Sequence, residues 1–203
     1  MFKLSLKHFI KLFFLLFIYL LITSCNQKEN SNVIINNEQN DSTIVSINGL
    51  LQVENNKIVN AHGKAISLAG NSFFWSNNNW GGERYYTPEV VAWLKNDWNS
   101  TIVRAAMGVE DTGGYLENKI ENKNRVKTIV TSAIDLGIYV IIDWHSHNAE
   151  DYIDEAIIFF EEMATLYGNY DNIIYEIYNE PLNISWSNEI KPYALSVIEA
   201  IRR

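Results

Sequence analysis

From residue 46 onward, short apolar β-rich runs alternate with helical stripes, and that alternation constrains the fold more than any other feature. Leu50-Leu51-Gln52-Val53 and Lys57-Ile58-Val59 flank Asn55-Asn56, which predicts a small hairpin feeding a first buried strand over about 65–70. Three further β-rich runs follow: Thr101-Ile102-Val103-Arg104, Ile138-Tyr139-Val140-Ile141-Ile142 and Ile173-Ile174-Tyr175-Glu176-Ile177. They are almost continuously apolar, as strands covered on both faces should be. Between them, Thr87-Pro88-Glu89 supplies a cap, a first-turn proline and a first-turn acid for a helix reaching about Trp98. Val126, Ile129, Val130 and Ala133 repeat at helical spacing, with Gly137 as the stop. A longer stripe runs from Ile153 through Phe160 to Tyr167, and a fourth from Ile190 to Ile201. The order is βα four times over, which means a parallel sheet with crossover helices. Trp93 and Trp98, in the first of these helices, are expected in its core.

Length bounds the architecture. A closed eight-unit βα barrel takes about 250 residues, and the 203-residue chain leaves room after residue 45 for about four units. The choice is between a small open α/β sheet and the first half of a barrel. The last helix runs to Arg202-Arg203 without a stop signal, which favours the half-barrel. With 47% hydrophobic and 13% aromatic residues, a packed core is affordable and global disorder is excluded. A net charge of −8 argues against a nucleic-acid partner. The single cysteine excludes an internal disulfide framework or a cysteine-based zinc knuckle.

The first 45 residues are a separate object. Lys3, Lys7 and Lys11 precede an apolar run from Leu12 to Ile22, too short to span a bilayer comfortably. It ends in Thr23-Ser24-Cys25, which resembles a bacterial lipobox; the alternative is an ordinary signal peptide with an incidental cysteine. The expected organisation is a lipoprotein signal over 1–24, lipidated Cys25 with a polar tether over 25–45, and a catalytic unit over 46–203. The asparagine-rich 26–45 fits a spacer. Such a chain is exported and held by lipid on a bacterial membrane, on the periplasmic or cell-surface side.

Parallel α/β folds bind ligands at the carboxyl ends of their strands. After the first strand come Phe74, Trp75 and Trp80. The second ends in Arg104, the third in Asp143-Trp144-His145-Ser146-His147, and the fourth in Tyr178-Asn179-Glu180-Pro181. Carboxylates and amides beside exposed aromatic faces suit sugar rings, whose C–H faces stack on indoles while their hydroxyls take hydrogen bonds.

Arg104-Ala105-Ala106-Met107, Gly113-Gly114-Tyr115, Ile141-Ile142-Asp143-Trp144-His145 and Ile174-Tyr175-Glu176-Ile177-Tyr178-Asn179-Glu180-Pro181 resemble glycoside hydrolase family 5, and within it the bacterial endo-β-1,4-glucanases. The resemblance covers about 46–203. It implies an α/β fold of the (β/α)8 TIM-barrel type, of which about the first four βα units are here. It implies a retaining hydrolase of β-1,4-glucan that is a monomer at full length and needs no cofactor or metal. Carried over by position, Glu180 is the acid/base, Asn179 binds the sugar 2-hydroxyl, and Arg104 and His145 order the site. Trp80, Trp75 and Tyr115 contact substrate. Gly108 stands where some relatives have a tyrosine. The nucleophile of the family is a glutamate on a late strand, well beyond the acid/base; Glu189 and Glu199 fall on the last helix, so it is expected outside these residues.

The chemistry of the residues agrees. A retaining glycosidase needs two carboxyl groups about 5–5.5 Å apart. Its acid must hold a proton near neutrality, which burial or a neighbouring carboxylate provides; Glu180 is expected in such a place, with Arg104 keeping the partner anionic. Arg104 alone could equally be an ion-pair residue, Asp143 a structural partner of its strand, Trp75 a core residue and His147 a surface loop residue. Two rival functions stand beside the hydrolase. One is a metal-dependent hydrolase using Asp143, His145 and His147, although a His-x-His of that kind usually opens a barrel at its first strand. The other is a non-catalytic glycan-binding lipoprotein.

Overall fold

The computed structural model describes residues 42–203. The signal peptide, Cys25 and most of the tether lie outside the described residues. Chain order is α1 (Ile44–Asn48), β1 (Gln52–Glu54), β2 (Lys57–Val59), β3 (Gly70–Ser72), α2 (Pro88–Trp98), β4 (Ile102–Gly108), α3 (Lys119–Leu136), β5 (Tyr139–His145), α4 (Ile153–Tyr167), β6 (Ile173–Glu176) and α5 (Lys191–Ile201). β1 and β2 form the antiparallel hairpin, turning at Asn55 in the left-handed region. β3, β4, β5 and β6 form a parallel sheet in that order, each joined to the next through a helix. This is the βα alternation read from the sequence, and four of the eight units of an α/β barrel.

The helix limits follow from local chemistry. The Thr87 hydroxyl accepts from the Val90 amide, Pro88 occupies the first turn, and α2 closes on Asn99 in the left-handed region. α3 closes on Gly137, φ 66°, where a side chain would be strained and would also collide with Thr43, only 2.4 Å from an added Cβ. That close approach belongs to α1. Its cap Thr43 packs on Gly137, the Val45 amide donates to the Gly137 carbonyl at 3.3 Å, and the Tyr139 hydroxyl donates to the Gly49 carbonyl at 2.7 Å. The folded unit therefore begins before residue 46. Residues 44 and 45, assigned from the sequence to the tether, are helical and closed onto the amino end of β5.

Two other expectations are corrected. The first barrel strand is not over 65–70: Ala65 makes only a single bridge to Val59, and the paired strand is Gly70–Ser72, short and largely exposed. Among the described residues its one neighbour is β4, so the run is not buried on both sides. Gly70 lies so close to β4 that a Cβ there would sit 1.7 Å from the Ile102 carbonyl oxygen. Trp93 and Trp98 are not core residues. They lie on the outer side of α2, 49% and 60% exposed, with their rings edge-on at 5.5 Å.

The sheet has two unlike faces. Val103, Ala105 and Met107 of β4 and Val140, Ile142 and Trp144 of β5 are fully buried in one cluster with Val126, Ile129, Phe159 and Phe160 of the helices. Strand side chains alternate, so Arg104, Ile141, Asp143 and His145 belong to the opposite face. The apolar runs thus hide a period of two, and among the described residues the helices cover one face.

Candidate active site

The open face is organised by Arg104. Register places Arg104 opposite Ile141 and Asp143 opposite Glu176, which puts acids from two strands within reach of one guanidinium. Arg104 Nε and Nη2 donate to Glu176 Oε2 and Oε1 at 2.7 and 2.9 Å, a bidentate pair. Nη2 also meets Asp143 Oδ2 at 2.8 Å and Asn179 Oδ1 at 2.8 Å, and Nη1 donates to the Ser72 hydroxyl at 3.2 Å. One side chain thus ties together the ends of β3, β5 and β6. An arginine can do this because its donors fan out in a fixed plane.

His145 extends the network. Its Nδ1 lies 2.6 Å from Asp143 Oδ2, and its ring meets Trp75 edge-on at 4.3 Å. Asp143 is fully buried, and its carboxyl pKa is raised to about 6. Burial is the largest cause and the charge of Glu176 adds to it; the His145 hydrogen bond and Arg104 pull the other way. Trp75 in turn stacks on Trp80, centroids 5.3 Å apart and planes 20° from parallel, with Phe74 6.4 Å from Trp80. Trp75 is half-buried and Trp80 is 40% exposed, so the pair offers an aromatic surface beside His145. The loop carrying them is held by Asn77, whose amide donates to the carbonyls of Asp111 and Thr112. Gly108 makes room for that amide: a Cβ there would lie 1.8 Å from Asn77 Oδ1.

The structure therefore brings together Arg104, His145, Asn179, Trp75 and Trp80. It places two of the expected residues differently. Tyr115 is 2% exposed and packs edge-on against Trp144 and Phe159 at 5.3 and 5.6 Å. It belongs to the helix-side core and offers no face to a ligand; burial also pushes its hydroxyl pKa up to about 12. Glu180 is not in a buried setting. Its side chain is 75% exposed, four residues beyond the end of β6 and with no strand beyond β6 among the described residues. It borders a cavity of about 510 Å³ with Glu110, Asp111, His147, Asn148, Pro181 and Leu182.

Sequence reasoning gave no role to Glu176, which shares Arg104. The signal was present: a lone carboxylate two residues after Ile174 in an apolar strand falls on one face with it. Glu110 and Tyr178, which brace the loop after β5, carry no such pattern. The metal alternative loses its ligand set. Asp143 Oδ2 is engaged by Arg104 and His145, the His147 ring turns to Glu180, and among the described residues no three His, Cys, Asp or Glu side chains form a group able to hold a metal.

Four parallel strands joined through helices, with the polar network and the paired indoles at their carboxyl ends, define the class: an α/β-barrel protein. Residues 59–203 match the model of the cellulase family, glycosyl hydrolase family 5, and the chain belongs to that family. It is 61% identical over 152 residues to endoglucanase Z of Dickeya dadantii (strain 3937), covering 75% of this chain and 35% of that protein. A solved structure from Cytophaga hutchinsonii superposes with a TM-score of 0.75 at 53% identity, covering 79% of this chain and 51% of that one. The catalytic domain of Thermobifida fusca endoglucanase Cel5A, solved in complex with cellotetraose, gives 0.73 at 32% identity, with 79% and 52% covered. The chain spans about half the length of these solved domains and about a third of the relative named above.

Proposed function

We propose that the chain is the amino-terminal half of a retaining β-1,4-glucan hydrolase, with Glu180 as acid/base and the nucleophilic glutamate outside these 203 residues. The observation that carries this is the Arg104 network. It fixes Asn179, the residue before Glu180, at 2.8 Å and holds it on the same rim as the Trp75–Trp80 surface. A glucan lying along that surface stacks its pyranose faces on the indoles. Its scissile oxygen then faces Glu180, and Asn179 faces the 2-hydroxyl. In the first step Glu180 gives its proton to the leaving oxygen as the carboxylate from the second half attacks the anomeric carbon; in the second step it takes a proton from water. Asp143 acts through His145 and Arg104, orienting both without touching sugar. The family membership and the endoglucanase relatives support the substrate class.

Retention is the test. Proton NMR of the full-length enzyme digesting a soluble β-1,4-glucan should show the β-anomer of the new reducing end first, equilibrating later. The α-anomer first would overturn the reading. Attachment is proposed through lipid on Cys25, since multiple acylation holds a protein firmly on a bilayer. Cys25→Ala should move the enzyme from the membrane fraction to the soluble one; unchanged retention would count against it.

A further inference from the structure

Read from the sequence, His147 is a loop residue. In the structure it is the side chain that reaches Glu180. Its Nδ1 lies 3.1 Å from the Glu180 main-chain oxygen and 3.8 Å from the Glu180 carboxylate oxygen Oε2. A carbonyl oxygen can only accept, so Nδ1 carries the proton in this contact.

The residue is itself held from both sides. Its amide donates to Glu110 Oε1 at 3.2 Å, and its carbonyl accepts from the Tyr178 hydroxyl at 3.1 Å. Glu110 follows β4 and Tyr178 follows β6, the two neighbours of the strand that His147 follows. Glu110 Oε1 also accepts from the Ser146 hydroxyl at 3.0 Å, and the Tyr178 hydroxyl also meets Glu150. These bonds are not needed to close the sheet, which ends at His145 and Glu176. They fix the main chain that carries one imidazole. What that imidazole grips is the backbone of a residue four places beyond the last strand, whose side chain is otherwise mostly in solvent. Arg104 secures the preceding residue through Asn179, and His147 secures Glu180 itself.

We infer that His147 is a positioning residue for Glu180. It anchors the main chain of Glu180 so that the carboxyl is presented to the leaving-group oxygen, and it acts on proton donation alone. The inference rests on the reading of Glu180 as acid/base. Proton transfer in the transition state depends steeply on placement, so loosening the donor should matter most where the leaving group most needs its proton.

The test is leaving-group dependence in the full-length enzyme, read as kcat/KM, which reports the first step alone. His147→Ala should lose about tenfold on an unactivated cello-oligosaccharide, and less than about twofold on a dinitrophenyl β-cellobioside, whose leaving group departs unprotonated. His147→Asn, which can donate to the same carbonyl, should recover most of the loss. His147→Phe keeps the ring's bulk without the donor and should match the alanine variant, so the comparison survives if the alanine variant folds poorly. Equal losses on both substrates would show a structural role and overturn the inference, as would no loss on either. Glu180→Gln is measured in parallel. If it shows no leaving-group dependence, the acid/base reading fails; if it does and His147→Ala does not, only the role of His147 fails.

Discussion

The two faces of the sheet use the same strands for opposite purposes. Trp144 and His145 are consecutive. Trp144 is fully buried among Tyr115, Phe159 and Phe160, with ring centroids 5.3 to 6.3 Å away. His145 faces the other way, onto Asp143 and Trp75. Likewise Val103 and Ala105 enter the helix-side core while Arg104 between them gathers Glu176, Asp143 and Asn179. Apolar burial gives the first face its stability without direction. Charge-assisted hydrogen bonds give the second its geometry, at the expense of removing a carboxylate from water. Stability and chemistry should therefore separate by residue parity along a strand.

The largest separation is expected from Trp144→Ala. Emptying that site should lower the unfolding free energy by about 3–5 kcal/mol, measured by denaturant titration of the full-length enzyme. Turnover per folded molecule should fall far less than in Arg104→Lys. An ammonium keeps the charge but cannot reach Glu176 in two places while also meeting Asp143 and Asn179. The expected loss in kcat is roughly a hundredfold, the scale of a displaced catalytic group, with a smaller stability loss than Trp144→Ala. Equal effects of the two on both readouts would erase the distinction between the faces.

A subtler probe is the pH dependence of Asp143. Its carboxyl titrates near 6 in the fold because burial disfavours the anion, above its usual value near 3.8. Between those values the folded state holds the proton more tightly than the unfolded state, so stability from this group is greatest below pH 4 and is lost as pH rises through 6. Relative to Asp143→Asn, the wild type should lose at most about 3 kcal/mol across that window, by melts at a series of pH values. A difference that instead grew with pH would mean that Arg104 and His145 outweigh burial.

Much of this was legible in the sequence where one interaction decides the outcome. The helix from Pro88 to Trp98 follows from Thr87, Pro88 and Glu89, and the rim from the polar residues closing each apolar run. Ala65-Ile66-Ser67-Leu68 has the composition of a strand, but the pairing is set by a close backbone approach at Gly70 that composition does not encode. Tyr115 is a ligand contact only by the resemblance of Gly113-Gly114-Tyr115 to the family; its ring turns into the aromatic cluster around Trp144. Parity alone puts Glu176 on one face with Ile174, but its pairing with Arg104, two strands away, comes only from the registers of β4, β5 and β6.

Whether this rim supplies the proton for glycosidic cleavage is decided by Glu180→Gln in the full-length enzyme. The amide cannot donate to the leaving oxygen, so kcat/KM on an unactivated β-1,4-glucan should fall by about 10²–10⁴-fold. The same variant should keep most of its kcat/KM on a dinitrophenyl β-cellobioside. Cleavage of the unactivated glucan at the normal rate would mean that Glu180 does not supply the proton.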